Sequence, residues 1–177
     1  VDTDIGLRNL DVILGLENRI IYDLVDVAEG RCKIQQALVR DKRFDDLLWL
    51  LPAAQSSDKT AVNGEQIKTI VNELKKDFDY ILIDCPAGIE QGFQNPIAGA
   101  DQSIVVTTPE HSAVRDADRI IGLLEKEPMD PPRLIINRIR TNMVKDGNML
   151  DVNDVTNILA IELLGIVADD DEVLKAS

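Results

Sequence analysis

Six aromatic residues, two cysteines and one histidine are all that this 177-residue chain holds of the side chains that stack on bases, bridge strands or ligate soft metals. With 3% aromatics and a formal net charge of −13, it offers neither stacking platforms nor a basic groove, which argues against a nucleic-acid partner. The same sign disfavours direct adhesion to anionic lipid. Cys32 and Cys85 have no paired spacing, so no disulfide framework or thiolate metal site is expected. Cys85 ends an apolar run and reads as a small buried side chain, and this cysteine usage fits a reduced, cytoplasmic protein. His111 has no metal-ligand cluster around it and reads as a surface residue. No hydrophobic run reaches the length of a membrane span, and Val1-Asp2-Thr3-Asp4 carries neither the basic nor the apolar region of a signal peptide. A phosphate-cradling G-x-x-x-x-G-K-[ST] loop is also missing, since none of the ten glycines is followed by lysine.

What remains is 45% hydrophobic and dominated by Ile, Leu and Val, enough for one α/β core. Short apolar runs predict strands, buried on both faces, at 47–51, 80–84, 103–107, 134–137 and 164–167. Helical periodicity lies between them at 20–28, 34–39, 64–76, 113–126 and 152–161, with Ser112 and Asp151 as N-caps. Strand and helix alternate, so the sheet is expected to be mostly parallel and flanked by helices. No linker, repeat or low-complexity tract divides the chain, which predicts one domain over residues 1–177. Val1 reads as the last residue of a cut strand and Val173-Leu174-Lys175-Ala176-Ser177 as a helix without a stop signal, so both ends are expected to be internal.

Two acidic clusters stand at expected strand ends: Asp2-Thr3-Asp4-Ile5-Gly6-Leu7-Arg8-Asn9-Leu10-Asp11 and Ile83-Asp84-Cys85-Pro86-Ala87-Gly88. Neighbouring carboxylates raise one another's pKa, so their grouping points to a cation or a transferred proton. Asp84 after four apolar residues matches the Walker B pattern, in which a carboxylate orients the water shell of Mg2+. In open parallel sheets ligands lie beyond the carboxyl ends of the strands, where this chain places Asp84, Thr107, Thr108, Asn137 and Asp169-Asp170-Asp171. For Thr107 and Thr108 a plain solvated strand end explains the polarity equally well.

Together with Val114-Arg115-Asp116-Ala117-Asp118-Arg119-Ile120 and Asn137-Arg138-Ile139-Arg140, these clusters closely resemble the MinD/ParA family of deviant Walker A P-loop ATPases, and its septum-site-determining members most. The resemblance covers essentially the whole chain, and Gly165-Ile166-Val167-Ala168-Asp169-Asp170-Asp171-Glu172-Val173 looks more like Gram-positive or plastid versions than enterobacterial ones. It implies a three-layer P-loop NTPase fold, here without the N-terminal phosphate loop and the C-terminal amphipathic membrane helix. It implies ATP and Mg2+ as ligands, a homodimer formed with ATP, and peripheral attachment to the inner face of the cell membrane, or residence in the plastid stroma for a chloroplast homologue. A MinC-like division inhibitor, and MinE or a DivIVA–MinJ type topological partner, are the implied proteins bound. By resemblance Asp4 positions the attacking water, Asp2 lies near the Mg2+ shell, and Asp84 holds the metal through water. Gly6, Pro86, Ala87 and Gly88 line the phosphate side. Asn137 reads the adenine edge, Arg138 stands beside it, and Ala168 and Asp169 line the base's other side. Arg8 and Asn9 are dimer-face candidates, although an exposed loop arginine is more often simply solvated.

On the 114–124 segment, Val114, Ala117, Ile120, Ile121 and Leu124 form an apolar stripe, while Arg115, Asp116, Asp118 and Arg119 form the outer face. Asp116 and Asp118 are weighed as partner contacts against a solvated face with local ion pairs. Pro96 is expected to break or kink the helical path after Asp84. A ParA-like partitioning ATPase would need a basic surface that this chain lacks. A receiver domain would need lysine where Asn137 stands, and a nucleotide-free scaffold would show eroded switch residues where Asp4 and Asp84 stand. Without phosphate-binding lysines, these 177 residues are not expected to hydrolyse ATP alone.

Overall fold

The computed structural model describes residues 1–7, 9–45, 47–58, 60–87 and 93–176, with Leu174 and Ala176 described by backbone alone. The chain forms two compact units, Val1–Ala100 and Asp101–Ser177.

In the first unit the described elements are α1 (Leu10–Ile13), α2 (Leu24–Ala28), α3 (Ile34–Ala37), β1 (Val39–Arg40), β2 (Trp49–Leu50), α4 (Gly64–Leu74) and α5 (Gln94–Ile97). Helix α4 buries Ile67, Ile70, Val71 and Leu74, the i, i+3, i+4, i+7 spacing that puts one stripe on the core. Leu24, Val25, Ile34 and Leu51 close that core. The expected helix over 20–28 begins only at Leu24, because the Asp23 carboxylate accepts from the backbone of Val25 and Asp26 while Asp26 returns a bond to Asp23 N–H. The segment at 34–39 stops at Ala37, and Val39 turns into an antiparallel ribbon with Leu50, so the 47–51 run yields a two-residue antiparallel strand. Pro96 is the third residue of α5, within the first turn, where the missing N–H leaves no bond unmade.

The 80–84 run forms no extended ladder. It meets residue 2 in an isolated parallel bridge, Asp2 with Asp84. Ile81 and Ile83 pack on the core, but Tyr80 and Leu82 are 89% and 80% exposed, so only one face is covered and the two-face expectation fails here. Cys85, expected to be buried, is exposed because it lies beyond the last backbone pairing of this run.

The second unit holds β3 (Ile104–Thr107), α6 (His111–Leu124), β4 (Arg133–Ile139), α7 (Thr141–Lys145), α8 (Val152–Leu159), β5 (Glu162–Ala168) and α9 (Asp171–Ala176). The three strands pair in parallel in the order β3-β4-β5, as expected from strand–helix alternation. Register partners share a face, so Val105 with Leu134 and Thr107 with Ile136 form the buried one. Leu134 and Ile136 are fully covered, and each contributes on the order of 2 kcal/mol by burial. Helices α6 and α8 supply Val114, Ala117, Ile121, Leu124, Val155 and Leu159 to this unit's core. The opposite face leaves Ile104, Val106 and Leu164 about half exposed, again contrary to strands covered on both sides.

Asp151 caps α8 through a reciprocal pair with Asp154, as its position before the helix predicts. Helix α6 begins earlier than expected. Glu110 after Pro109 is still extended, His111 is already helical, and Ser112 therefore falls inside the first turn rather than at the cap. His111 is exposed.

Candidate functional site

Residues 1–3 run extended between two backbone neighbours. Asp2 N–H donates to Leu51 C=O (2.9 Å), Thr3 N–H donates to Asp84 C=O (3.0 Å), and Asp84 N–H donates to Val1 C=O (2.8 Å). The Thr3 hydroxyl adds a second bond to the Asp84 carbonyl. Asp2, Thr3 and Asp84 are thereby fixed by main chain, while Asp4 is placed by a tight turn in which its N–H donates to Asp2 Oδ1 (3.0 Å). Gly6 completes that turn at φ +93°, a conformation that side chains resist, and its N–H donates to Ala54 C=O (2.9 Å).

Asp2 is 1% exposed. Asp2 Oδ2 and Asp4 Oδ1 are buried and have no hydrogen-bond partner among the described residues. Burial pushes the Asp2 carboxyl above the usual carboxylate value, the Asp4 N–H opposes it, and the charges of Asp84 and Asp4 add to the rise. Asp84 stands open on the rim, yet the protein around its carboxyl, with Asp4 beside it, pushes it up as well. Bare carboxylate oxygens held this way call for a cation, because an unpaired buried charge is expensive. Among the described residues no three His, Cys, Asp or Glu side chains converge as a direct metal shell. The orphaned oxygens of Asp2 and Asp4 instead fit a hydrated hard cation of the Mg2+ kind, which keeps several waters. Beyond Cys85, Pro86 is half-buried and Ala87 exposed, and Gly88 and Arg8 lie outside the described residues. Asn9 is exposed at the start of α1, and its side chain makes no capping bond.

In the second unit Asn137, Arg138, Ala168 and Asp169 come together at the carboxyl ends of β4 and β5. The register is interrupted twice: β5 carries one extra residue at Leu164, and β4 carries one between Ile136 and Ile139. Arg138 sits in the second bulge at φ +57°, and its N–H donates to the Asn137 carboxamide oxygen (2.9 Å). Asp169 N–H donates to Ile139 C=O (3.0 Å), and its carboxylate receives Arg138 Nε (3.3 Å) and Arg140 Nε (2.5 Å). The hydrogen bond from Arg140, joined by that from Arg138, holds the Asp169 carboxyl below its usual range against the opposing effect of burial. On α6, Asp116 and Asp118 are exposed on the charged face, and Asp116 lies 3.7 Å from Arg119, a local ion pair. The apolar stripe of that helix is buried as expected, except that Ile120 is half-buried.

Two contributors were not among the sequence-level candidates. Thr3 reaches Asp84 by hydroxyl as well as N–H, a role whose only signal is its place between two aspartates. Arg140 reaches Asp169 alongside Arg138, and the Arg-Ile-Arg spacing that puts both on one strand is the signal.

A parallel sheet flanked by helices, with acidic and amide side chains at its strand ends, defines a P-loop NTPase type of fold. The family described as AAA domain matches residues 2–127. The septum site-determining protein MinD of Bacillus subtilis (strain 168) is 71% identical over 178 residues, covering 100% of this chain and 66% of that protein. The Helicobacter pylori protein of that name is 47% identical and covers 100% of this chain and 68% of its own length. In the solved MinC:MinD cell division complex of Aquifex aeolicus, a chain 48% identical superposes with a TM-score of 0.89, covering 99% of this chain and 70% of that one. A Pyrococcus horikoshii OT3 MinD, solved with Mg-ADP, shares the fold at 24% identity and a TM-score of 0.85. The chain belongs to the MinD family of septum site-determining proteins, within the ParA-type P-loop NTPases. It spans about two thirds of the length of the curated relatives it matches.

Proposed function

We propose that these residues form the switch-bearing part of a single ATPase domain that regulates where the division septum forms. In this reading, ATP binding drives dimerisation and attachment to the inner membrane surface, a MinC-like inhibitor is recruited, and hydrolysis to ADP and phosphate releases the assembly. The observation that carries the nucleotide reading is the pair of buried, partnerless oxygens on Asp2 and Asp4 beside Asp84. Family membership carries the cell-division role, and the MinC:MinD complex of the Aquifex aeolicus relative supports a MinC-like partner.

Phosphoryl transfer relies on positioning and charge stabilisation more than on covalent chemistry. Asp4, anchored by the Asp2 carboxylate through its N–H, orients the attacking water and accepts its proton as the bond from water to the terminal phosphorus forms and the bridging P–O bond breaks, ADP leaving with that oxygen. Asp2 and Asp84 would hold a hydrated Mg2+ through its waters, and that ion would supply positive charge to offset the phosphates. Gly6, Pro86, Ala87 and Gly88 line the phosphate side. Asn137 hydrogen-bonds the adenine edge, since an amide both donates and accepts, and Arg138, Ala168 and Asp169 line the base. Arg8 and Asn9 face the second protomer, Asp116 and Asp118 meet the protein partners, and MinE or a DivIVA–MinJ type factor completes the system at the membrane.

The test is phosphate release by the protein at the full length of its gene. Asp4→Asn is expected to lower kcat by about a hundredfold while ATP still binds, the usual weight of a positioned base. The 177 residues alone are expected to show no turnover. Unchanged kcat in Asp4→Asn would remove the role given to Asp4, and turnover by the isolated 177 residues would remove the need for a separate phosphate loop.

A further inference from the structure

The second unit places a non-glycine residue in the left-handed region at a strand end and then fixes it from several directions. Arg138 (φ +57°) lies within the β4 bulge. Left-handed backbone is unfavourable for a residue with Cβ and persists only where its surroundings over-determine it. Here the surroundings are four bonds. Asn137 Oδ1 accepts from Arg138 N–H, Arg138 Nε and Arg140 Nε both donate to the Asp169 carboxylate, and Asp169 N–H donates to Ile139 C=O. Asp169 is 17% exposed, against 58% and 49% for the two arginines, so the carboxylate is the inner, shared member of the group.

The Asn137 carboxamide is held by the backbone it adjoins. Its oxygen is engaged by Arg138 N–H, and its amide nitrogen makes no hydrogen bond among the described residues. The bulge therefore presents a donor of fixed direction at the carboxyl end of β4, next to the β5 end that Asp169 follows. A bulge at such a place re-aims a side chain.

We propose that Arg140 is a positioning residue: through Asp169 it locks the Asn137–Arg138 bulge and so sets the direction in which the Asn137 amide meets a purine base. This rests on the adenine reading of Asn137 given above. Arg140 need not touch the base. Its guanidinium is matched to a carboxylate shared with a second guanidinium, a geometry that lysine reproduces only as a point charge. Loosening it frees the carboxamide to rotate, which weakens base binding and the distinction between purines more than it alters events at the phosphates.

The experiment uses the full-length protein, unaltered and as Arg140→Gln and Arg140→Lys, with three readouts: Kd for ATP and for GTP, kcat at saturating ATP, and backbone hydrogen exchange at residues 137–140 and 168–170 without nucleotide. In Arg140→Gln the proposal expects faster exchange in both segments and about a tenfold rise in Kd for ATP, the weight of one charge-assisted hydrogen bond. It also expects a narrower ATP-over-GTP ratio and kcat within about twofold. Arg140→Lys should recover part of the affinity. Exchange left unchanged in Arg140→Gln would overturn the lock itself. Faster exchange with unchanged Kd and base preference would overturn its use in base recognition, and so would a loss confined to kcat. If the unaltered protein bound no ATP, the nucleotide reading would fall and this use of the lock with it, while the exchange data would still report on the lock alone.

Discussion

The two units meet the same backbone problem beside their polar clusters and solve it differently. After Asp2 and Asp4 the chain turns left-handed at Gly6 (φ +93°), where a glycine removes the steric penalty. After Asn137 it turns left-handed at Arg138 (φ +57°), where a side chain remains and is tied down. Charge follows the same division. The carboxylates of the first unit are crowded, with the Asp2 carboxyl raised by burial and by its acidic neighbours. Asp169 is lowered by two arginines. The first arrangement leaves Asp2 Oδ2 and Asp4 Oδ1 without partners among the described residues, whereas the second pairs its carboxylate within the chain. The two polar clusters thus divide into one whose buried charge is unmatched, which the proposed function assigns to a cation, and one already neutralised, suited to holding a shape.

The largest expected break in this comparison is Gly6→Ala. A Cβ would lie 3.6 Å from the Ser57 carbonyl oxygen, which is ordinary contact, so the loss comes from the backbone angle. Destabilisation of about 1–2 kcal/mol is expected in denaturant titration of the nucleotide-free protein, with the Asp4 turn disturbed. A loss below a few tenths would mean that the turn relaxes freely.

Asp2→Asn acts in the opposite direction. Removing a buried charge whose Oδ2 lacks a partner, while an amide oxygen can still accept from Asp4 N–H, should stabilise the metal-free protein at neutral pH by on the order of 1 kcal/mol and weaken Mg2+-dependent nucleotide binding. The pH dependence has a definite sign. The folded Asp2 carboxyl titrates above its unfolded value, so the folded state binds the extra proton between the two and stability falls as pH rises through that window. For Asp169 the folded carboxyl titrates below the unfolded value, so its contribution is present above the unfolded value and is lost as pH falls through the folded one. Carboxyl carbon NMR titration would read both, with Asp2 and Asp84 above 3.8 and Asp169 below it.

The smallest effect belongs to Arg138→Gly, which relieves the left-handed strain and removes one of two ion pairs. The two changes should nearly cancel, leaving stability within about 0.5 kcal/mol. A loss well above that would show that the arginine, rather than its backbone, carries the bulge.

Much of this was legible in the residues. Asp151 marks a cap by its place before an apolar helical run, whereas the strand expected over 80–84 is present only as the single bridge from Asp84 to Asp2. The apolar stripe from Val114 to Leu124 is a property of helical period. These readings needed only contacts within a few residues of each other in sequence. Cys85, Tyr80 and Leu82 were misplaced for the complementary reason: an apolar run states that burial is favourable but does not say which face finds a neighbour.

The sequence by itself determined the alternation of strand and helix in the second unit, the parallel β3-β4-β5 sheet that such alternation favours, and the grouping of carboxylates at residues 2 and 4. All of these follow from local periodicity and from like charges placed together. Only the tertiary structure decided that Asp2 bridges Asp84 across more than eighty residues, that Asp2 Oδ2 and Asp4 Oδ1 are left without partners, and that Arg138 and Arg140 close on Asp169 through a bulge. Register and burial are set by which segments meet, and that choice is made by the packing of the whole chain rather than by any stretch of it.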